Sequence, residues 1–318
     1  MSLVALRYDD EDYVLAGLSA PHKRLPPRLL HAGAGAELFE RITALEAYYP
    51  TRTELALLDD YLPQIANHVG PGVRVVEPGH GDLRKTRKLL HALHAPASYV
   101  PVDVVPERLR QRAQALRGEL PDVEIQPVTA DYCEPFELAA PQRACKRTLI
   151  FFPGQAISEF EPAEARQVLA RMAALAGSDR MLLLGADGTR DPGVLLRAYH
   201  DERGATAAYH KHVLTQLNRT RGASFELDAF DHRAVWNAEA SRIEMQLVSK
   251  RRQTVAIDNA SIALAADEPI TTQHCYQHTP AALHALLTKA GWRPRQVFTS
   301  TITPFRLWLC EPLGGIRV

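Results

Sequence analysis

Cysteine is scarce in this chain: the 318 residues hold four, at positions 133, 145, 275 and 310, and no Cys-x-x-Cys pair. That excludes a disulfide framework and a cysteine-based zinc site, and makes reduced thiols in a cytoplasmic protein the expectation. Excess charge is lacking too. Lys+Arg and Asp+Glu stand at 37 each, and no basic block is interleaved with aromatics, so neither nucleic acid nor an anionic membrane is an expected partner. No apolar run approaches a membrane span. The stretch from Met1 to Asp12 turns acidic early and has no long apolar centre, so no signal peptide is expected. Gly-x-Ser-x-Gly does not occur, which sets a serine hydrolase aside. His274 and His278 are four apart beside Cys275, with His31 and His80 elsewhere. The segment 270–279 reads as strand and loop, so that spacing need not bring the rings together, and no metal site is expected.

What the chain does have is an apolar run ending in an acid and two spaced glycines, Val73-Arg-Val-Val-Glu-Pro-Gly-His-Gly-Asp82. A helix-period segment, 83–94, follows it. A second apolar run ends at Asp103, and a third segment ends at Ala130-Asp131-Tyr132. Strand, Gly-rich turn, helix, strand and acid is the order in which a doubly wound sheet holds an adenosine-containing cofactor. The glycines allow close backbone approach, and an acid at a strand's carboxyl end can accept from two ribose hydroxyls. The dinucleotide fingerprint wants a third glycine where Arg84 stands, which disfavours NAD(P). S-adenosylmethionine has no phosphate, and the series Glu77, Gly79, Gly81, Asp103, Asp131 suits it. Ordinary turn glycines and strand-end acids in an α/β core are the competing interpretation.

Runs at 73–76, 99–103, 123–128, 148–152 and 181–186 read as buried parallel strands. The helical segments 106–118 and 162–177 each open on proline and close on glycine. The alternation makes a βαβ array. A helix at 280–290 and a hairpin from 296–301 and 305–310 close the chain, and such an added hairpin marks class I methyltransferase folds by analogy. The flanks differ: 1–52 is proline-rich, and 190–275 is an aromatic-dotted helical stretch followed by alternating segments at 242–249 and 254–264 that suggest a small antiparallel sheet. The expected architecture is therefore α/β, a Rossmann-like domain over 53–189 and 276–318 with an α+β substrate domain from 1–52 and 190–275. The acceptor is expected between the two.

With these segments placed, the chain resembles the L-histidine Nα-methyltransferases of ergothioneine biosynthesis over nearly its whole length. The resemblance is carried by Lys23-Arg-Leu-Pro-Pro27, Glu37-Leu-Phe-Glu-Arg-Ile-Thr43, Glu46-Ala-Tyr-Tyr-Pro-Thr-Arg-Thr-Glu54, Glu77-Pro-Gly-His-Gly81, Lys85-Thr-Arg87, Arg197-Ala-Tyr199, Leu214-Thr-Gln-Leu-Asn-Arg219 and Phe225-Glu-Leu-Asp-Ala-Phe230. Trp236-Asn237 and Arg242-Ile-Glu-Met245 extend it. It implies that Gly79, Lys85, Asp103, Asp131 and Tyr132 belong to the cofactor site, with the Lys85 ammonium able to pair with the methionine carboxylate. It also implies that Phe39, Tyr48, Gly154, Tyr199 and Met245 shape an amino-acid pocket. Four positions depart from the family pattern. An asparagine that holds the substrate's amino-acid end becomes Glu159, a glutamate and a serine that read the imidazole become Thr272 and His274, and a tyrosine becomes His31.

Those exchanges point to the same reaction on a different acceptor, because a glutamate facing a substrate carboxylate repels it and a lost imidazole-reading acid removes the strongest handle for histidine. The expected activity is S-adenosylmethionine-dependent N-methylation of an amino acid or related small amine, with S-adenosylhomocysteine as product. Histidine itself, or a degenerate paralogue that binds without turnover, are the alternatives. Tyr48 and Tyr199 either orient the acceptor or are packed aromatics. Glu159 is a candidate general base or binder of a cationic acceptor. A monomer acting on a small molecule is expected.

Overall fold

The computed structural model describes residues 10–79 and 83–314. Two units share the chain: a small-sheet unit up to Tyr49 and over Thr189–Gln277, and a large-sheet unit over Pro50–Gly188 and from His278 onward.

In the large-sheet unit the strands are β1 (Val73–Pro78), β2 (Ser98–Asp103), β3 (Glu124–Ile125), β4 (Arg147–Phe152), β5 (Arg180–Ala186), β6 (Trp292–Thr299) and β7 (Arg306–Pro312), in the order β6-β7-β5-β4-β1-β2-β3. The pairs among β1 to β5 are parallel. The last hairpin joins antiparallel to β5 through β7. The terminal hairpin expected from the sequence is thus added antiparallel to a parallel sheet.

Alternation along each strand sorts the core. Val73, Val75, Tyr99, Leu149, Phe151 and Leu183 meet one face, where Leu58 and Ile65 of α1 (Tyr49–Val69), Leu89 of α2 (Leu83–Ala92) and Leu116 of α3 (Pro106–Glu119) cover them. Val76, Val100, Ile150, Phe152, Leu182 and Leu184 meet the other, under Val168 and Met172 of α4 (Pro162–Ala176) and Leu287 of α5 (Pro280–Lys289). Burial on both faces explains the unbroken apolar runs. Strand order reverses at β1, so the crevice at its carboxyl end is the topological switch point where ligands bind in such sheets.

Local chemistry sets several boundaries. Pro162 opens α4 behind a capping box in which Glu161 and Glu164 each accept from the other's backbone end. The fully buried Trp292 donates from Nε1 to the Leu169 carbonyl at 2.9 Å, tying β6 to α4. The run at 123–128 divides into Glu124–Ile125 and Val128–Thr129, each pairing with part of β2.

The small-sheet unit has a four-stranded sheet ordered Lys23–Arg24, Pro269–Tyr276, Arg242–Ser249, Phe230–Asn237. The segment expected at 254–264 does not join 242–249. It forms its own hairpin, Gln253–Ile257 with Ala260–Leu264. A bulge between Thr271 and Gln273 shifts the register against Arg242–Ser249. Helices Gly35–Thr43, Pro192–Tyr199 and Ala205–Arg221 bury Ile42, Leu195, Val213 and Leu214 in the same core as Ile243, Met245 and Leu247.

Candidate functional site

At the switch point, Gly79 has φ +83, and a Cβ there would stand 3.2 Å from Cε1 of Tyr132. Glycine lets the turn approach that ring closely. Two residues earlier, the fully buried Glu77 accepts from the hydroxyls of Thr86 at 2.8 Å and Tyr99 at 2.6 Å. Burial raises its pKa against the pull of Arg112 and those two bonds. Asp103 ends β2, is 5 % exposed, and accepts from the Val105 N–H at 2.8 Å. Asp131 accepts from the Cys133 N–H at 2.8 Å. Tyr132 packs edge-on against Phe152 and Phe160, and burial, with the charges of Glu159, Asp131 and Asp103 behind it, pushes its hydroxyl pKa up. Those couplings gather Asp103, Asp131, Tyr132 and the half-buried Glu159 into one region of the large-sheet unit. Lys85, in the first turn of α2, is buried and paired with Glu54. Gly154, after β4, has φ +76 and donates its N–H to Glu54. Gly81 lies outside the described residues.

The small-sheet unit gathers a second set. Tyr48 and Tyr199 are buried with ring centroids 5.9 Å apart. Phe39 stands 6.0 Å from Tyr48 and 5.7 Å from Tyr209, and His31 stands 6.3 Å from Phe39. The Tyr199 hydroxyl lies 3.2 Å from Sγ of Cys275. Burial, and then the neighbouring Cys275 and Tyr48, raise its pKa well above the usual value, so the phenol stays protonated at neutral pH.

A profile described as "Histidine-specific methyltransferase, SAM-dependent" matches residues 9–312. The chain belongs to that family. It is an S-adenosylmethionine-dependent N-methyltransferase. Similar proteins include the histidine N-alpha-methyltransferases of Mycolicibacterium smegmatis, 36% identical over 310 residues, and of Mycobacterium tuberculosis, 36% over 312; each alignment spans 96% of this chain and 94% of the relative. The N-methyltransferase imqF of Aspergillus flavus is 28% identical over 274 residues, 83% of this chain and 74% of that protein.

Within this histidine-specific methyltransferase fold, the strand Pro269–Tyr276 decides which side chains reach the aromatic cluster. Gln273 pairs with Met245 and Cys275 with Ile243, whereas His274 pairs with Glu244 and Tyr276 with Arg242. Cross-strand partners share a face. Met245 and Ile243 belong to the buried core, so Gln273 and Cys275 lie on the face of the aromatic cluster. His274 lies on the other face, with Glu244 opposite and Tyr276 6.3 Å away between ring centroids. Thr272, at the bulge, is buried: its hydroxyl donates to the Met245 carbonyl at 3.0 Å and therefore accepts from Nδ1 of His210 at 2.8 Å. The structure thus gathers Phe39, Tyr48, Tyr199, Met245 and the buried Thr272 in one unit, with His31 beside Phe39, and leaves His274 across the sheet. Strict alternation without the bulge cannot reveal that one-residue shift.

Two features escaped sequence reasoning. Glu54 sits at the end of the Tyr-Tyr-Pro-Thr-Arg-Thr-Glu string, in a helix that runs through Pro50 and Pro63. A stack of imidazoles also runs through the small-sheet unit: His200 and His232 have ring centroids 5.2 Å apart, His232 and His210 4.8 Å. Among the described residues no His, Cys, Asp or Glu group is arranged to hold a metal, and no helix is long and apolar enough to cross a membrane.

Proposed function

We propose that this enzyme holds its cofactor at Gly79, Gly81, Lys85, Asp103, Asp131 and Tyr132 and methylates the amino nitrogen of an amino acid or small amine other than histidine. The single observation that carries the acceptor half is the register of Pro269–Tyr276. It puts a thiol and an amide, Cys275 and Gln273, on the face of Tyr199 and Met245, while the Thr272 hydroxyl is already engaged. None of these three carries a charge that would pair with an imidazolium, and unpaired polar groups dominate discrimination of this kind.

The chain's residues suit the cofactor. Gly79 lets backbone approach the Tyr132 ring, Asp103 stands at the carboxyl end of the strand beyond the switch point, and Lys85 offers a buried ammonium. When bound, S-adenosylmethionine supplies a methyl group on an already activated sulfonium and leaves S-adenosylhomocysteine. What remains for the protein is to hold a neutral amine in line and exclude water. Tyr199 keeps its proton and so serves as a hydrogen-bond group rather than a base. Glu159, in the same unit as Tyr132, is the candidate to receive the proton of an incoming ammonium or to hold its charge.

A second reading, histidine as the acceptor, is favoured by the 36% identity to the two mycobacterial histidine N-alpha-methyltransferases. Incubation with methyl-labelled S-adenosylmethionine and single amino acids or amines separates the two. The expected result is histidine methylated at least about tenfold more slowly than the preferred amine, the worth of one good polar contact. Efficient trimethylation of free histidine would falsify the proposal and support the second reading.

A further inference from the structure

We infer that Glu54 is a positioning residue for the cofactor, acting through Lys85 and the Gly154 turn without touching the ligand itself. The inference rests on the assignment of Lys85 to the methionine end of the cofactor.

Glu54 lies in α1, and its side chain has no exposed surface. A carboxylate so placed is tolerated only when its charge is paired and its lone pairs are met. Both needs are met here. One oxygen is paired with the Lys85 ammonium, and the Gly154 N–H donates to both, at 3.0 and 2.9 Å. On β5, Gly185 leaves the room: a Cβ there would run into Oε1 and come within 3.0 Å of the carboxyl carbon. Four separate segments therefore converge on one side chain: α1, α2, the turn after β4, and β5.

Gly154 also adjoins the ammonium, since a Cβ on it would stand 3.6 Å from Nζ of Lys85. An ammonium on a flexible four-carbon stem otherwise has wide rotamer freedom to lose. Held by Glu54, Lys85 has one of its three donors committed and the other two set in direction. Such an ammonium meets a carboxylate ligand without first being ordered. A clamp with a purely architectural role would hold the same four segments but would not distinguish the ends of the cofactor.

Two probes draw that distinction: S-adenosylhomocysteine, which has the amino-acid end, and 5′-methylthioadenosine, which has the adenosine and sulfur without it. Calorimetric titration of the full chain should show Glu54→Gln weakening S-adenosylhomocysteine about tenfold, the loss of one charge-assisted contact, with 5′-methylthioadenosine unchanged within about twofold. Lys85→Gln should show the same selectivity, and the double variant should be no weaker than Lys85→Gln alone, because Glu54 acts through that lysine. Equal weakening of both probes by Glu54→Gln, or unchanged S-adenosylhomocysteine binding beside a weakened Lys85→Gln, overturns the inference. If Lys85→Gln itself leaves the ratio of the two affinities unchanged, the assignment of Lys85 fails instead. Should Glu54→Gln not fold, Glu54→Asp, which keeps the charge but withdraws it by one methylene, gives the same ratio test: a selective loss supports the inference, an equal loss or none overturns it.

Discussion

The two units bury their polar groups in opposite ways. In the large-sheet unit the buried polar residues include an ion pair, Glu54 against Lys85, and the carboxyl group of Glu77 under Tyr99 and Thr86. In the small-sheet unit they are groups that stay neutral: Tyr199, Thr272, Gln246, and the imidazoles of His210 and His232. Burial drives the pKa of His210 well below the ordinary value and that of His232 down to about 4. The proposed assignments account for this difference: the zwitterionic end of the cofactor would meet the buried ammonium of Lys85, and a neutral amine would meet hydroxyls and aromatic edges.

Acid should break the neutral side first. The folded state keeps His232 unprotonated down to about pH 4, while the unfolded chain takes up the proton near 6.5, so stability falls as pH drops through that window. His232 alone accounts for about 3 kcal/mol by pH 4. The thermal midpoint should fall between pH 7 and 5, and His232→Gln should remove much of that slope. An unchanged slope in the variant would clear His232 as its source.

The charged side should yield to steric intrusion. Gly185→Ala drives a Cβ into Glu54 and to 3.3 Å from the Phe305 ring. Overpacking of this kind costs about 1–3 kcal/mol, read by urea unfolding, and S-adenosylhomocysteine binding should weaken with it. Asp103→Ala should leave the fold intact and weaken the cofactor by about 1–3 kcal/mol through lost charge-assisted bonds. Unchanged affinity would remove the strand-end acid from the site.

The smallest effect sharpens the comparison most. Gln273→Glu puts a carboxylate on the Met245 face and should raise histidine turnover about tenfold relative to other amines, whereas His274→Ser should change it little. Relative kcat/KM for histidine in the two variants is the measurement. A larger gain from His274→Ser would mean that the register does not govern acceptor choice.

The proposed cofactor residues form a pattern legible in the chain alone. Glu77, Gly79, Asp103 and Asp131 stand at the ends of apolar runs in an order that a parallel sheet imposes, and strand and helix signals there are local. The acceptor half was less so. Phe39, Tyr48, Tyr199 and Met245 come from distant segments with no shared period, and a resemblance rather than a pattern named them. The partner of Lys85 was hidden as well: Glu54 lies in a different helix, 31 positions from the lysine it meets.

The amino-acid sequence by itself determined the doubly wound sheet, because buried strands and turn glycines are written in short, contiguous runs, and its resemblance to a family pointed to the reaction class. Tertiary structure alone decided which of Thr272, Gln273, His274 and Cys275 face Tyr199, and that Lys85 shares its charge with Glu54. A bulge reverses side-chain direction without a mark in residue type, and a buried ion pair depends on four segments arriving at one point.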